Sequence, residues 1–177
     1  MKNITKSRRL FFALWPSDLI RESIVKNFLN LSPSVKGNLM HPDNLHMTLH
    51  FVGQATEEVK QCMHAAAQSI KVKKIELTLD CFGHFPRAKI LWMGCNDLST
   101  DLVVLHRELG SALEKCGYQC ETRAYTPHVS LMRKCVEPEI SQSDFSIPWR
   151  VNAFSLVESV STENGVSYKV IERYPLF

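Results

Sequence analysis

Apolar side chains along this chain follow two rhythms, one of period two and one of helical period, which alternate from one end to the other. Arg9 to Trp15 is a compact apolar run stopped by Pro16, the pattern of a buried strand. Ser17 then predicts a capped helix over 18–29, with Ile20, Ile24, Val25 and Phe28 at helical spacing. Ser32-Pro33-Ser34 and Gly37 read as a loop and Pro42-Asp43-Asn44 as a turn into a strand that carries His46 and ends at Gly53. Thr56-Glu57-Glu58 opens an Ala-rich helix running to about Ile70. Ile75 to Asp80 alternates as a half-buried strand, Gly83 and Pro86 break the chain, and Ile90 to Cys95 is another buried strand. Ser99 or Thr100 caps a helix through Lys115, with Leu102, Leu105, Leu109 and Leu113 on one face and Gly117 closing it. A strand over 128–134 comes next, and Glu137 to Trp149 reads mostly as loop. The chain ends in a hairpin of 153–159 with 168–174, turning at Glu163-Asn164-Gly165.

These elements repeat. Strand 10–15, helix 18–29 and the His46 strand recur as strand 90–95, helix 100–115 and the His128 strand. The histidines lie 82 positions apart and the leading strands 80 apart, which predicts a duplicated β-α-β half. The expected organisation is one domain, 1–177, of two similar lobes with approximate repeats 9–80 and 89–160 and a C-terminal hairpin. The class is α+β, with a largely antiparallel sheet in each lobe and a groove between them.

Composition narrows the setting. An apolar share of 45% and a charged share of 22% suit a globular core, and the length supports one without metal or disulfides. A net charge of +3 excludes a protein that coats nucleic acid by charge alone but leaves room for a local basic cleft. Lys2 to Arg9 before Leu10 to Trp15 imitates a signal peptide, yet that apolar run is too short and ends at Pro16-Ser17-Asp18. No stretch approaches the roughly 20 apolar residues that span a membrane. Six cysteines without a secretory signal predict reduced, mostly buried thiols in a cytoplasmic protein. Cys116 and Cys120 lack the spacing of a zinc site.

Two stretches carry the chemistry: Asn44-Leu-His-Met-Thr-Leu-His-Phe-Val-Gly53 and Thr126-Pro-His-Val-Ser-Leu-Met-Arg133. Alternation puts His46 and Thr48 on one strand face, with Met47, Leu49 and Phe51 on the other, and His128 and Ser130 repeat the arrangement. With seven His and 24 Ser plus Thr, roughly one His-x-[Ser/Thr] arises by chance, so the weight lies in the equivalent places of the two copies. Imidazole, with an ordinary pKa of about 6.5, serves as base or acid near neutrality. Displacement at a phosphodiester needs a base at the incoming oxygen and an acid at the departing one. Neighbouring hydroxyls can donate to the non-bridging oxygens, and no metal or other cofactor is needed. Arg133 adds positive charge, but strict alternation points it away from the groove unless the strand ends or bulges before it, or the side chain curls back.

Together with Arg9-Leu-Phe-Phe-Ala-Leu, Ile90-Leu-Trp-Met-Gly and the closing Tyr168 to Leu176, these motifs resemble the 2H phosphoesterase superfamily. Within it they are most similar to the RNA 2',3'-cyclic phosphodiesterases, once called 2'-5' RNA ligases. The resemblance implies a bilobal α+β fold of two pseudo-twofold-related, mainly antiparallel sheets with flanking helices and a central catalytic groove. It further implies metal-independent opening of an RNA terminal 2',3'-cyclic phosphate to a 2'-phosphate, with ATP-independent 2'-5' joining as the related reaction. His46 becomes the acid at O3' and His128 the base for water, Thr48 and Ser130 hold phosphate oxygens, and Arg133 supplies charge. The partner is RNA with a cyclic phosphate end, tRNA fragments among them, met by a monomer and no membrane. Competing readings keep the fold with a small cyclic nucleotide or ADP-ribose cyclic phosphate as substrate, or make the chain an RNA-end binding module without turnover.

Around the motifs, Tyr125 reads as a base-stacking residue, with Phe51 and Phe85 as weaker candidates and the core as Phe51's expected place. His50 is expected along the groove wall. On a strand it lies about 13 Å from His46, too far to share an ion. His41, His64, His84 and His106 read as surface or loop residues. Arg87, Lys89, Arg123 and Lys134 could guide an RNA backbone.

Overall fold

The structure, a computed structural model, describes residues 7–31, 35–136, 138, 144–163 and 165–177. The order is β1 (Arg8–Leu14), α1 (Asp18–Leu31), β2 (Asn38–Leu39), β3 (Met47–Ala55), α2 (Glu57–Gln68), β4 (Ile75–Leu79), β5 (Cys81–Phe85), β6 (Ile90–Gly94), α3 (Thr100–Glu114), β7 (His128–Arg133), β8 (Ile147–Val151), β9 (Ala153–Thr162) and β10 (Gly165–Pro175). The expected Ser32 to Ser34 loop, the segment 139–143 and Asn164 of the hairpin turn lie outside the described residues.

Seven strands run β10-β9-β1-β3-β7-β6-β5, β2 also pairs with β7, and β4 and β8 form a separate ribbon. Every pairing is antiparallel. The large sheet is two half-sheets, β10-β9-β1-β3 and β7-β6-β5, which meet at a single pair, Met47 with Val129. That seam lies between β3 and β7, the strands of the two histidine motifs, and the α+β class stands.

Strand β1 shows why its sequence is apolar without alternation. Leu10, Phe12 and Leu14 enter the main core, while Phe11 and Ala13 enter a smaller cluster with Val157 on the groove face. Both faces of the strand are therefore covered. Helix α2 begins at Thr56, whose hydroxyl accepts from the Val59 amide at 3.4 Å, and α3 ends where Gly117 adopts φ +83°. Among the described helices none is long and apolar enough to cross a membrane.

Three strands were hidden, the two-residue β2 among them. β5 covers Gly83, whose missing side chain lets the Trp92 indole lie over the backbone, since a Cβ there would sit 2.1 Å from the ring. β8 falls within the segment read as loop, because Pro148 disguises an edge strand whose Ile147, Trp149 and Val151 are buried.

The cysteines also depart from expectation. α2 packs on α3, which sets the Cα atoms of Cys62 and Cys116 5.7 Å apart, and a disulfide joins them. Cys81, Cys95, Cys120 and Cys135 remain free. The bridge spans 54 positions, and loop-closure entropy alone gives it about 4 kcal/mol. Titration of the denatured, unreduced protein should therefore count four reactive thiols, and Cys62→Ser should lower the unfolding free energy by about 2–4 kcal/mol. Six reactive thiols would show the bridge to be absent.

Candidate active site

The two motif strands share one departure from regularity. On β3, Phe12 pairs with His50 and Ala13 with Thr48, so Leu49 is an extra residue. On β7, Leu91 of β6 pairs with Met132 and Trp92 with Ser130, so Leu131 is extra. Each strand thus bulges directly after its hydroxyl residue, and the bulge flips the faces of the residues beyond it. Leu49 and His50 point into the core, as do Leu131 and Met132. Phe51 and Arg133 come round to the side of the histidines. This answers how Arg133 reaches the groove. It also corrects two expectations: His50 is buried rather than on the groove wall, and Phe51 is exposed rather than in the core, under the guanidinium of Arg9 at 4.9 Å.

The register around Met47 and Val129 sets His46 level with Ser130 and Thr48 level with His128. The two imidazoles therefore lie diagonally across the seam, near enough for the charge of His128 to act on His46. His46 Nδ1 donates to the Asn44 carbonyl at 2.7 Å, and His128 Nδ1 donates to the Thr126 carbonyl at 2.7 Å. These bonds fix one tautomer in both rings and leave each Nε2 free as an acceptor.

Burial holds both imidazoles neutral. It lowers His46 to a pKa of about 4 against the pull of the Asn44 carbonyl, helped by the charges of His128 and Arg133. His128 is lowered as well, first by burial and then by Arg123, with the Thr126 carbonyl opposing.

Aromatic rings wall both sites. Trp15 stacks on His46 with 5.4 Å between centroids, Phe11 lies at 4.9 Å, and Tyr168 meets the ring edge-on at 5.0 Å. Phe85 meets His128 edge-on at 4.9 Å, with Trp92 behind at 6.0 Å. Arg133 donates to the Tyr168 hydroxyl at 3.4 Å across the seam. The sequence signalled Phe85 and Tyr168 but not Trp15 or Trp92, which read as core strand residues.

Tyr125 lies elsewhere than expected. Its ring packs against the main core and stacks on His106 at 3.9 Å, and its hydroxyl donates to the Thr48 carbonyl at 3.0 Å. His106 is no surface residue either: it stacks on His50 at 4.2 Å, and burial and the His50 charge lower it to about 4. His50 Nε2 donates to the His106 carbonyl at 2.8 Å, passing α3 at Gly110, where a Cβ would stand 2.9 Å from the ring. Among the described residues, no group of three His, Cys, Asp or Glu side chains is placed to hold a metal ion.

Known proteins share this frame. An RNA 2',3'-cyclic phosphodiesterase of Escherichia coli K12 is 29% identical over 98% of this chain and 99% of its own length. One from Methanocaldococcus jannaschii is 28% identical over 94% and 99%. The crystal structure of E. coli LigT complexed with 3'-AMP superposes with a TM-score of 0.90 at 29% identity, covering 97% of this chain and 99% of that one. LigT complexed with phosphate gives 0.86 at 28% identity over 97% and 98%. The model of the 2'-5' RNA ligase superfamily matches residues 33–163, and the chain belongs to that family.

Proposed function

We propose that this protein hydrolyses the 2',3'-cyclic phosphate at an RNA end to a 2'-phosphate. One observation carries the reading: two imidazoles of the same tautomer present free Nε2 atoms to one seam, each with a hydroxyl beside it, and the Arg133 charge bears on His46. Relatives that match nearly the full length carry the name RNA 2',3'-cyclic phosphodiesterase, which supports the same substrate here.

In this reaction a water oxygen attacks phosphorus and His128 takes its proton, while the P–O3' bond breaks and His46 protonates O3'. Thr48 and Ser130 donate to the non-bridging oxygens, and Arg133 balances their charge. Tyr125 enters by holding the Thr48 carbonyl. A ribose hydroxyl in place of water gives a 2'-5' linkage by the same steps. The two halves, 9–80 and 89–160, then supply one proton-transfer group each, in a monomer acting on RNA ends such as tRNA fragments.

His46 is neutral in the empty groove, so it gains its proton as the phosphate is seated. An anion between the rings favours the imidazolium and raises both pKa values.

His46→Ala and His128→Ala should each cut turnover of an RNA 2',3'-cyclic end by about 10²–10⁴-fold, and EDTA should leave the native rate unchanged. Full activity in either variant sinks the mechanism. Because burial lowers both histidines, kcat/KM should be bell-shaped with its maximum below pH 6.5, where one ring is protonated and the other is not. The kcat maximum should lie at higher pH. A profile rising monotonically from pH 4 to 9 would count against the pair.

A further inference from the structure

Beside Trp15 the chain forms a cleft of about 360 Å³ that neither His46 nor His128 lines and that hydrolysis at the histidine pair does not use. Trp15 is the shared wall: one face stacks on the His46 imidazole, and the residue also lines the cleft. Three arginines from three elements line it: Arg21 of α1, Arg150 of β8 and Arg173 of β10. Asp18 is the one carboxylate in the lining, which leaves the balance positive. Asn152 and Ser17 add neutral polar groups.

The arginines differ in how far they are already engaged. Arg21 is tied to Asp18 at 2.8 Å and to Asp43 at 3.4 Å, and its buried Nε has no partner among the described residues. Arg150 meets Glu76 at 3.2 Å in an exposed pair, the kind that contributes little and exchanges readily. Arg173 forms no ion pair among the described residues, so its charge is free for a ligand. Planar guanidinium groups around a polar cleft suit phosphate, with its several acceptor oxygens.

We infer that this cleft receives the phosphodiester on the 5' side of the terminal nucleotide, so that the protein grips an RNA strand as well as its cyclic end. The inference rests on the reading of the groove as a cyclic phosphodiesterase site. A cyclic phosphate held at His46 closes the strand, and the rest of the RNA must leave through its O5'. The cleft lies one indole away. A mononucleotide reaches the histidines and leaves the cleft empty, so occupancy of the cleft is what separates an RNA end from a small cyclic nucleotide.

The test compares 2',3'-cyclic AMP with an adenosine trinucleotide ending in a 2',3'-cyclic phosphate, in the native protein and in Arg173→Gln and Arg150→Gln/Arg173→Gln. The native kcat/KM should favour the trinucleotide by about tenfold or more at low salt. That preference should shrink toward unity in the double variant. For a single strand, the slope of log(kcat/KM) against log salt should fall by roughly 0.7 for each phosphate that is no longer neutralised. An undiminished preference in the double variant overturns the inference, as does an equal loss on both substrates. Anisotropy with a fluorescent trinucleotide bearing a terminal 2'-phosphate reads the cleft without turnover. Weaker binding in the variants supports the cleft, and unchanged binding overturns it. A native protein that opens neither substrate would instead overturn the reading of the groove.

Discussion

One bulge, directly after the hydroxyl residue of each motif strand, governs the rest of the structure. Were Leu49 and Leu131 paired in a regular ladder instead of bulged, period-two alternation would place Arg133 against the core and His50 in the groove. Both placements are costly, since a buried guanidinium needs a partner and a core cavity would replace the imidazole. With the bulges, each strand sends three side chains to the seam and keeps its aliphatic residues inside. The groove sides read His46, Thr48, Phe51 and His128, Ser130, Arg133. The frame is repeated, but the residue beyond the bulge is aromatic in one copy and cationic in the other. The seam is therefore electrically lopsided although its backbone is nearly symmetric.

The lopsidedness shows in the histidines. Arg133 acts on His46, and Arg123 on His128, but burial is the larger effect on both rings. Dry aromatic walls are the source of that burial. Trp15, Phe11 and Tyr168 enclose His46 more fully than Phe85 and Trp92 enclose His128, and His46 is the ring lowered to about 4. A site of this kind resists charge while empty and accepts it once an anion brings its own. In the proposed reaction the substrate's phosphate thus completes the acid it needs.

How much of this could be read from the chain depends on what each signal measures. The histidine pair was legible because two copies at equal offsets are a pattern, and the three helices because their apolar stripes are long. The bulges were not, since an inserted Leu between apolar neighbours leaves the hydropathy pattern unchanged. Their trace is polar residues at the wrong parity: His50 on the expected groove face and Arg133 on the expected core face. β8 was hidden by Pro148, and the Cys62–Cys116 bridge by a separation of 54 positions that only the packing of α2 on α3 closes. Trp15 was legible as a strand residue, but its stacking on His46 depends on where β1 ends relative to β3. Periodicity carries no information about that register.

A seam closed by one residue pair leaves backbone groups of both motif strands without ladder partners, and buried groups of that kind must be satisfied by something. The partners are the site's own side chains and the loops that lead to them. The carbonyls of Asn44 and Thr126, just ahead of the strands, take the Nδ1 protons of His46 and His128. The Thr48 carbonyl takes the Tyr125 hydroxyl, and the carbonyl of the bulged Leu131 takes the Met40 amide at 2.8 Å. Pulling the half-sheets together into a full ladder would compete for these groups. The imidazoles would then lose the bonds that fix their tautomer, and the space between them would close. The open seam and the oriented histidines are thus one arrangement of the same hydrogen bonds.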